Sequence, residues 1–303
     1  MLKHFFLFVK NKKNCIIEET YILGGVMDKK AIFLDVDGTL VAGHMEMSNK
    51  VKEAIIKARL NGHKVFICTG RNKAGIKREL ESVEFDGIVA SAGSYVEINN
   101  EVIHNAYFDK LLVDKITNIF NENNIFYNYE CTDMTFMSDE MVRLFVGGIN
   151  FEKSNSELER LRAQQHDKFN IKDMSSYTDQ RVHKICFISL DQEALNRAAK
   201  MLEQDVNVII HDMFDVTTIN GELISKINNK ATGIQYAIDY LNIDKENTIA
   251  FGDSMNDYEM IDFVNYGVVM ENGSDQLKQI ASKICRSVDE DGVYHEFINL
   301  GLI

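Results

Sequence analysis

The sequence predicts an α/β fold: a Rossmann-like, doubly wound parallel sheet interrupted by an inserted α+β unit. Three observations predict it. Short apolar runs at 31–34, 64–68 and 87–90 alternate with segments of helical period, as strands buried on both faces do. The alternation breaks down between about residues 109 and 214, then resumes towards residue 303. Polar or acidic residues, Asp35, Thr69 and Asp253, stand directly after strand-like runs, where open α/β sheets bind ligands.

The elements follow in order. Ala31-Ile32-Phe33-Leu34 is a buried strand ending in an acidic loop. Ser48 caps a helix whose apolar face is Val51, Ala54, Ile55 and Ala58, and Asn61-Gly62 ends it. Lys64–Cys68 is a second strand, a helix runs to about Ser82, and Gly87–Ala90 is a third strand. Residues 95–103 form a hairpin around Asn99-Asn100. In the insert we expect a helix near 111–121 and a strand at 184–190. A helix at 192–203 capped by Asp191 follows, then strands at 206–210 and 215–219. The α/β rhythm returns with a helix near 231–241, a strand at 248–251, a strand at 266–270 and a helix from Ser274. Residues 28–108 and 215–303 are thus expected to form the catalytic core, and 109–214 the insert. Residues 1–27 are expected to be an extension outside the fold, because the first strand follows Met27-Asp28-Lys29-Lys30 directly.

Composition narrows the function. The 303 residues carry a net charge of −13, which repels nucleic acid and anionic lipid. A site for an anionic substrate in such a chain needs a metal and a few well-placed cations. Cys15, Cys68, Cys131, Cys186 and Cys285 are an odd, widely spaced set without a C-x-x-C pair, so reduced thiols in a cytoplasmic protein are expected. The apolar run His4–Val9 is too short to span a bilayer. We expect no nucleic-acid or membrane partner.

The chemistry gathers at the strand ends. Asp35, Asp37 and Asp253 repel one another unless a hard cation lies between them, and oxygen-only ligands suit Mg²⁺. Such a cation also offsets the charge of a phosphoryl group under attack by a carboxylate. Gly38 permits the sharp reversal after the first strand.

The segments Asp35-Val36-Asp37-Gly38-Thr39-Leu40, Thr69-Gly70-Arg71, Lys230 and Gly252-Asp253-Ser254-Met255-Asn256-Asp257 resemble the four ordered motifs of the haloacid dehalogenase superfamily. The insert between the second and third motifs resembles the type-IIB cap of its Cof-type phosphatases. The similarity runs from about residue 28 onwards, through Gly267–Gly273 and Asp291-Gly292-Val293.

This resemblance implies a Mg²⁺-dependent phosphatase acting on a small phosphorylated metabolite, such as a sugar phosphate. Asp35 would be the nucleophile that forms an aspartyl-phosphate. Asp37 would protonate the leaving alcohol and then deprotonate water. The Asp35 side chain, the Asp37 carbonyl and Asp253 would hold the metal, with Ser254 and Asp257 supporting them from the outer layer. Thr69, Gly70, the Val36 backbone, Lys230 and Asn256 would hold the phosphoryl oxygens. Lys230 is preferred to Lys226 because Lys230-Ala231-Thr232-Gly233 opens a helix. Arg71 would reach either the substrate or a surface carboxylate, and His44 lies in a flap beside the first motif. Arg143, Arg181 and Lys184 are candidates for selecting the leaving group from the cap. The same motifs leave two alternatives: a sugar phosphomutase using the same intermediate, or a non-catalytic sugar-phosphate-binding regulator.

Overall fold

The computed structural model describes residues 29–43, 46–146, 171–210 and 219–303. The expected N-terminal extension, residues 1–27, His44 and all but Ile219 of the strand expected at 215–219 lie outside them.

The first unit opens with β1 (Ala31–Leu34), α1 (Asn49–Leu60), β2 (Lys64–Cys68), α2 (Lys77–Ser82), β3 (Gly87–Ala90), β4 (Tyr95–Ile98) and β5 (Glu101–Asn105). The insert follows with α3 (Lys110–Glu122), β6 (Phe126–Cys131), β7 (Thr135–Met137), α4 (Asp139–Val146), β8 (Ile171–Asp173), β9 (Val182–Ser189), α5 (Gln192–Leu202), β10 (Val206–Ile210) and β11 (Ile219–Ser225). The chain returns with α6 (Lys230–Leu241), β12 (Thr248–Gly252), α7 (Tyr258–Phe263), β13 (Tyr266–Val269), α8 (Asp275–Lys278), β14 (Lys283–Ile284) and α9 (Gly292–Asn299).

Two sheets result. The first has the order β14-β13-β12-β1-β2-β3-β4-β5, parallel from β14 to β3 and antiparallel through β4 and β5. Its central strands are apolar throughout because helices cover both faces. One face meets α1 and α9 through Val51, Ala54, Ile55, Val293 and Phe297. The other meets α6 and α7 through Ile234, Ala237, Ile238, Met260 and Ile261. The second sheet, β10-β11-β9-β6-β7-β8, is antiparallel except for the β7–β8 pair. Helices α3 and α5 pack on one of its faces against Tyr129, Ile185, Phe187 and Leu223.

Local signals explain several element ends. The Ser48 hydroxyl accepts from the Val51 amide, and the Asp191 carboxylate accepts from the Glu193 and Ala194 amides. Asn99 and Asn100 both have positive φ, at 50° and 65°, as a two-residue hairpin turn requires.

Two expectations need correction. The last strand before the return is Ile219–Ser225, and it pairs with β9 and β10 in the second sheet. The chain therefore rejoins the first sheet after Ser225, not at residue 215. The helix expected from Ser274 is a single turn, Asp275–Lys278, and the short strand β14 and helix α9 follow it.

The parallel register builds the site edge. Leu34 lies level with Ile67 on β2 and Phe251 on β12. Asp35, Thr69 and Asp253 therefore emerge together at the carboxyl ends, and the Asp35 amide still donates to the Phe251 carbonyl (3.0 Å).

Candidate active site

The acidic loop after β1 is a tight knot. The Val36 carbonyl accepts from the amides of Thr39, Leu40 and Val41, and the Gly38 amide donates to Val41 (2.8 Å). Gly38 has φ +83°, and a Cβ there would stand 2.1 Å from Asp253 Oδ2. A glycine is needed both for the turn and to let the Asp253 carboxylate lie against it. Asn272 straps the loop from outside: its Nδ2 donates to the Gly38 carbonyl (2.8 Å), and its Oδ1 accepts from the Val288 amide (2.9 Å).

Lys230 is the hub. It opens α6, whose Asn229 cap and Thr232 form a reciprocal capping box. The side chain is buried, and Nζ donates to Asp35 Oδ1 (2.7 Å), Asp257 Oδ1 (2.5 Å) and Asn256 Oδ1 (3.3 Å). Lys226 is exposed, so the structure separates the two lysines. Asp257 Oδ2 accepts from the amides of Asp253 (2.9 Å) and Ser254 (3.1 Å), which folds the loop after β12 into one rigid turn. The Ser254 hydroxyl donates to Asn256 Oδ1 (3.0 Å).

Electrostatics follow from this crowding. Burial, followed by the Asp257 charge, raises the Asp35 carboxyl to about 7 against the pull of Lys230. Burial, then Asp257 and Asp35, raises Asp253 well above the usual carboxylate range. Burial opposes the charge on Lys230, yet Asp257 and Asp35 lift its affinity for the proton well above normal.

Carboxylate oxygens of Asp35, Asp253 and Asp257 lie within 4.8 Å of one another. Asp253 Oδ1 is buried without a hydrogen-bond partner among the described residues. An all-oxygen set containing an orphaned anionic oxygen fits a hard divalent cation. Asp257 is already engaged with Lys230 and two amides, which leaves Asp35 and Asp253 as the side chains that fit.

Asp37 is held differently. Arg71, buried after β2, donates Nε to Asp37 Oδ2 (2.8 Å) and Nη2 to Asp37 Oδ1. Nη1 reaches the Gly75 carbonyl (2.8 Å) and Glu79 Oε1 (3.4 Å). Arg71 thus pairs with a carboxylate of the site rather than with one on the surface. Thr69 and Gly70 join the site through the same turn, since the Arg71 amide donates to Thr69 Oγ1 (3.1 Å). Sequence reasoning missed a second turn behind it. Ser91, Ala92 and Gly93 all have positive φ, and the Ser91 and Ala92 amides donate to the Arg71 and Thr69 carbonyls. The signal was the small-residue run Ser91-Ala92-Gly93-Ser94 directly after β3.

The three cap candidates part ways. Arg143 and Arg181 are exposed, Arg181 over the Tyr107 ring. Lys184 is buried, with Nζ on the Gly70 carbonyl (2.9 Å) and on Glu222 (2.7 Å). Among the described residues no helix is long and apolar enough to cross a membrane.

The sequence model of the haloacid dehalogenase-like hydrolases matches residues 32–297. The Bacillus subtilis (strain 168) protein YkrA is 27% identical over 277 residues, covering 91% of this chain and 100% of its own. The 5-amino-6-(5-phospho-D-ribitylamino)uracil phosphatase YitU of the same organism is 26% identical over 269 residues, covering 86% and 94%. Among solved structures, the subclass IIB sugar phosphatase BT4131 superposes with a TM-score of 0.70 at 22% identity, covering 91% of this chain and 100% of its own. Given a match that spans both sheets, the chain belongs to the haloacid dehalogenase-like hydrolases, as a Cof-type phosphatase.

Proposed function

We propose that the chain hydrolyses a small phosphorylated metabolite, a sugar phosphate or similar phosphomonoester, through an aspartyl-phosphate on Asp35. The observation that carries this reading is Lys230 Nζ bridging the buried carboxylates of Asp35 and Asp257. The bridge fixes Asp35 in one orientation, and it supports a role for the Lys230 ammonium in meeting the phosphoryl oxygens.

In this reading Asp35 attacks phosphorus, forming a new P–O bond as the bond to the leaving oxygen breaks. Protonated Asp37 gives its proton to that oxygen, so the leaving group departs as an alcohol. The Asp37 carboxylate, paired with Arg71 as in the structure, then takes a proton from the water that attacks the aspartyl-phosphate. Asp35 is released with inorganic phosphate. Asp35, the Asp37 carbonyl and Asp253 would hold Mg²⁺, which offsets the negative charge gathered around phosphorus. Lys230 and Asn256, with the Thr69 hydroxyl and the Val36 and Gly70 amides, would hold the phosphoryl oxygens. Ser254 and Asp257 support the ligands from behind.

Two things support a hydroxylated leaving group. The names of YitU and BT4131 specify phosphoribityl and sugar substrates for those proteins. The face of the second sheet opposite α3 and α5 also carries a group of buried polar residues, Asn128, Lys184, Asn220 and Glu222, beside the apolar cluster of Met137, Met141 and Ile188.

The test is a panel of phosphorylated metabolites assayed with Mg²⁺ and with chelator, beside Asp35→Asn. We expect stoichiometric free phosphate, abolished by chelator and reduced at least ~1000-fold in the variant. Wild-type turnover in Asp35→Asn refutes the nucleophile. Isomer formed without free phosphate indicates a mutase, and tight binding without turnover indicates a sensor.

A further inference from the structure

Lys184 is an unusual lysine. It projects from β9 and its side chain has no solvent exposure. Glu130 stands directly opposite it on β6, and Glu222 lies on β11 opposite Cys186, diagonal to Lys184. Nζ is 3.4 Å from Glu130 Oε2 and 2.7 Å from Glu222 Oε2. Burying a charge this deeply is costly unless it is paired and hydrogen-bonded, and the two carboxylates supply the pairing. Its third contact leaves the second sheet altogether: Nζ donates to the Gly70 carbonyl of the first unit (2.9 Å).

That carbonyl belongs to the peptide whose amide is Arg71 N–H, and this amide donates to Thr69 Oγ1 (3.1 Å). One peptide plane is therefore clamped at both ends, by a cation at its oxygen and by a hydroxyl at its nitrogen. With its lone pair taken up by the amide, the Thr69 hydroxyl keeps its own proton to donate elsewhere. A cation on the carbonyl also polarises the peptide and strengthens its N–H as a donor. The residue after this peptide is Arg71, whose guanidinium holds Asp37.

We propose that Lys184 is a positioning residue: the cap supplies it to set the Thr69-Gly70-Arg71 turn that receives the phosphoryl group. The inference rests on the phosphatase reading above and deepens it, because it assigns Lys184 to the phosphate end of the substrate rather than to the leaving group. Glu130 and Glu222 keep the ammonium charged and aimed.

The two roles separate by substrate. A residue that sets the phosphate turn affects every phosphomonoester alike, whereas one that touches the leaving group affects only substrates with a polar one. Lys184→Met alone would remove the cation from between two buried carboxylates and risk unfolding, so the substitution is also made in a Glu130→Gln, Glu222→Gln background that keeps Lys184 as its reference. Thermal unfolding confirms that each variant is folded. We expect Lys184→Met in that background to lower kcat about tenfold or more, the scale of a lost charged hydrogen bond. The factor should be similar for acetyl phosphate, p-nitrophenyl phosphate and glucose 6-phosphate. Inhibition by inorganic phosphate should weaken in parallel, and Lys184→Arg should retain more activity than Lys184→Met. A loss confined to glucose 6-phosphate overturns the proposal, as does a folded variant with unchanged kcat and phosphate inhibition. If the wild type turns over none of the three, the phosphatase reading fails separately. Thermal protection by inorganic phosphate with Mg²⁺, compared between reference and variant, then decides the role of Lys184: reduced protection supports it and equal protection overturns it.

Discussion

Lys230 stands between two carboxylates that would otherwise face each other, and among the described residues Asp253 has no such partner. This asymmetry makes the site sensitive to pH. Burial and Asp257 raise Asp35 to about 7, and Asp253 is raised as well. In the unfolded chain the same groups titrate near ~4. Between those values the folded chain binds more protons than the unfolded one. The stability Asp35 contributes is thus present below pH ~4 and lost as pH rises through about 7, and Asp253 acts in the same direction. A divalent cation held by Asp35 and Asp253 would replace the missing proton. We expect the metal-free melting midpoint to fall across this window through these groups. Added Mg²⁺ should raise the midpoint more at about pH 8 than at about pH 5. Asp253→Asn should remove most of the Mg²⁺ response, and an unchanged response would exclude Asp253 as a ligand. The carboxylates and Lys230 were legible in the sequence because their types and order constrain the chemistry. The partner of Arg71 was not, since nothing in a linear motif says that the guanidinium turns back onto Asp37 rather than outwards.

At the scale of elements, legibility followed burial pattern and turn chemistry. Strands β1, β2, β3 and β12 of the first sheet are largely apolar and buried, and α1, α6 and α8 carry side-chain caps, so pattern and position agree there. Strand β11 was misread because Asn220 and Glu222 alternate with Ile219, Gly221 and Leu223 yet all are buried. Polar residues facing another unit hide the usual contrast between inside and outside. Strand β14 is two exposed residues and leaves almost no pattern. The turn after β3 was missed for a different reason: its role lies in what it touches. Gly93 has φ +87°, and a Cβ there would stand 1.9 Å from the Asn229 carbonyl, at the cap of α6. Gly93→Ala should therefore push the start of α6, and Lys230 with it, away from Asp35. We expect a stability loss of at least ~1 kcal/mol from the strained φ and the contact. Activity should fall on the order of 100-fold, because displacement of a positioning group by about 1 Å is that costly. Denaturant unfolding and steady-state kinetics measure the two, and near-native activity would show that α6 does not set Lys230.

The whole molecule is two sheets with separate hydrophobic cores, and its chemistry sits where they meet. Sequence alone signalled the insertion through the change of rhythm, but several of the contacts that dock the second sheet end on backbone carbonyls, which carry no sequence signature. Asn72 is central to them. It is buried, and its Nδ2 donates to the Cys131 carbonyl (2.9 Å) and to Thr135 Oγ1 (3.2 Å), both in the second unit. Its Oδ1 accepts from the Gly75 amide (2.9 Å), which shapes the loop that carries these contacts. Close by, the Ala74 amide donates to the Thr132 carbonyl (3.2 Å). The turn that holds Thr69, Gly70 and Arg71 at one end is thus moored to the cap at the other. Asn72→Ala removes the docking donors and the loop cap together and leaves the carbonyls buried. The expected cost is about 1–3 kcal/mol of coupling between the units. Neither core loses an apolar side chain, so each retains its own packing. Calorimetry should then show one transition for the wild type and two, or one visibly broadened, for Asn72→Ala. Hydrogen exchange should report the earlier opening at residues 69–75 and 130–135 together, because the same contacts close both. A sharp single transition at the wild-type midpoint would mean that the remaining contacts, Lys184 Nζ on the Gly70 carbonyl among them, couple the two units without Asn72.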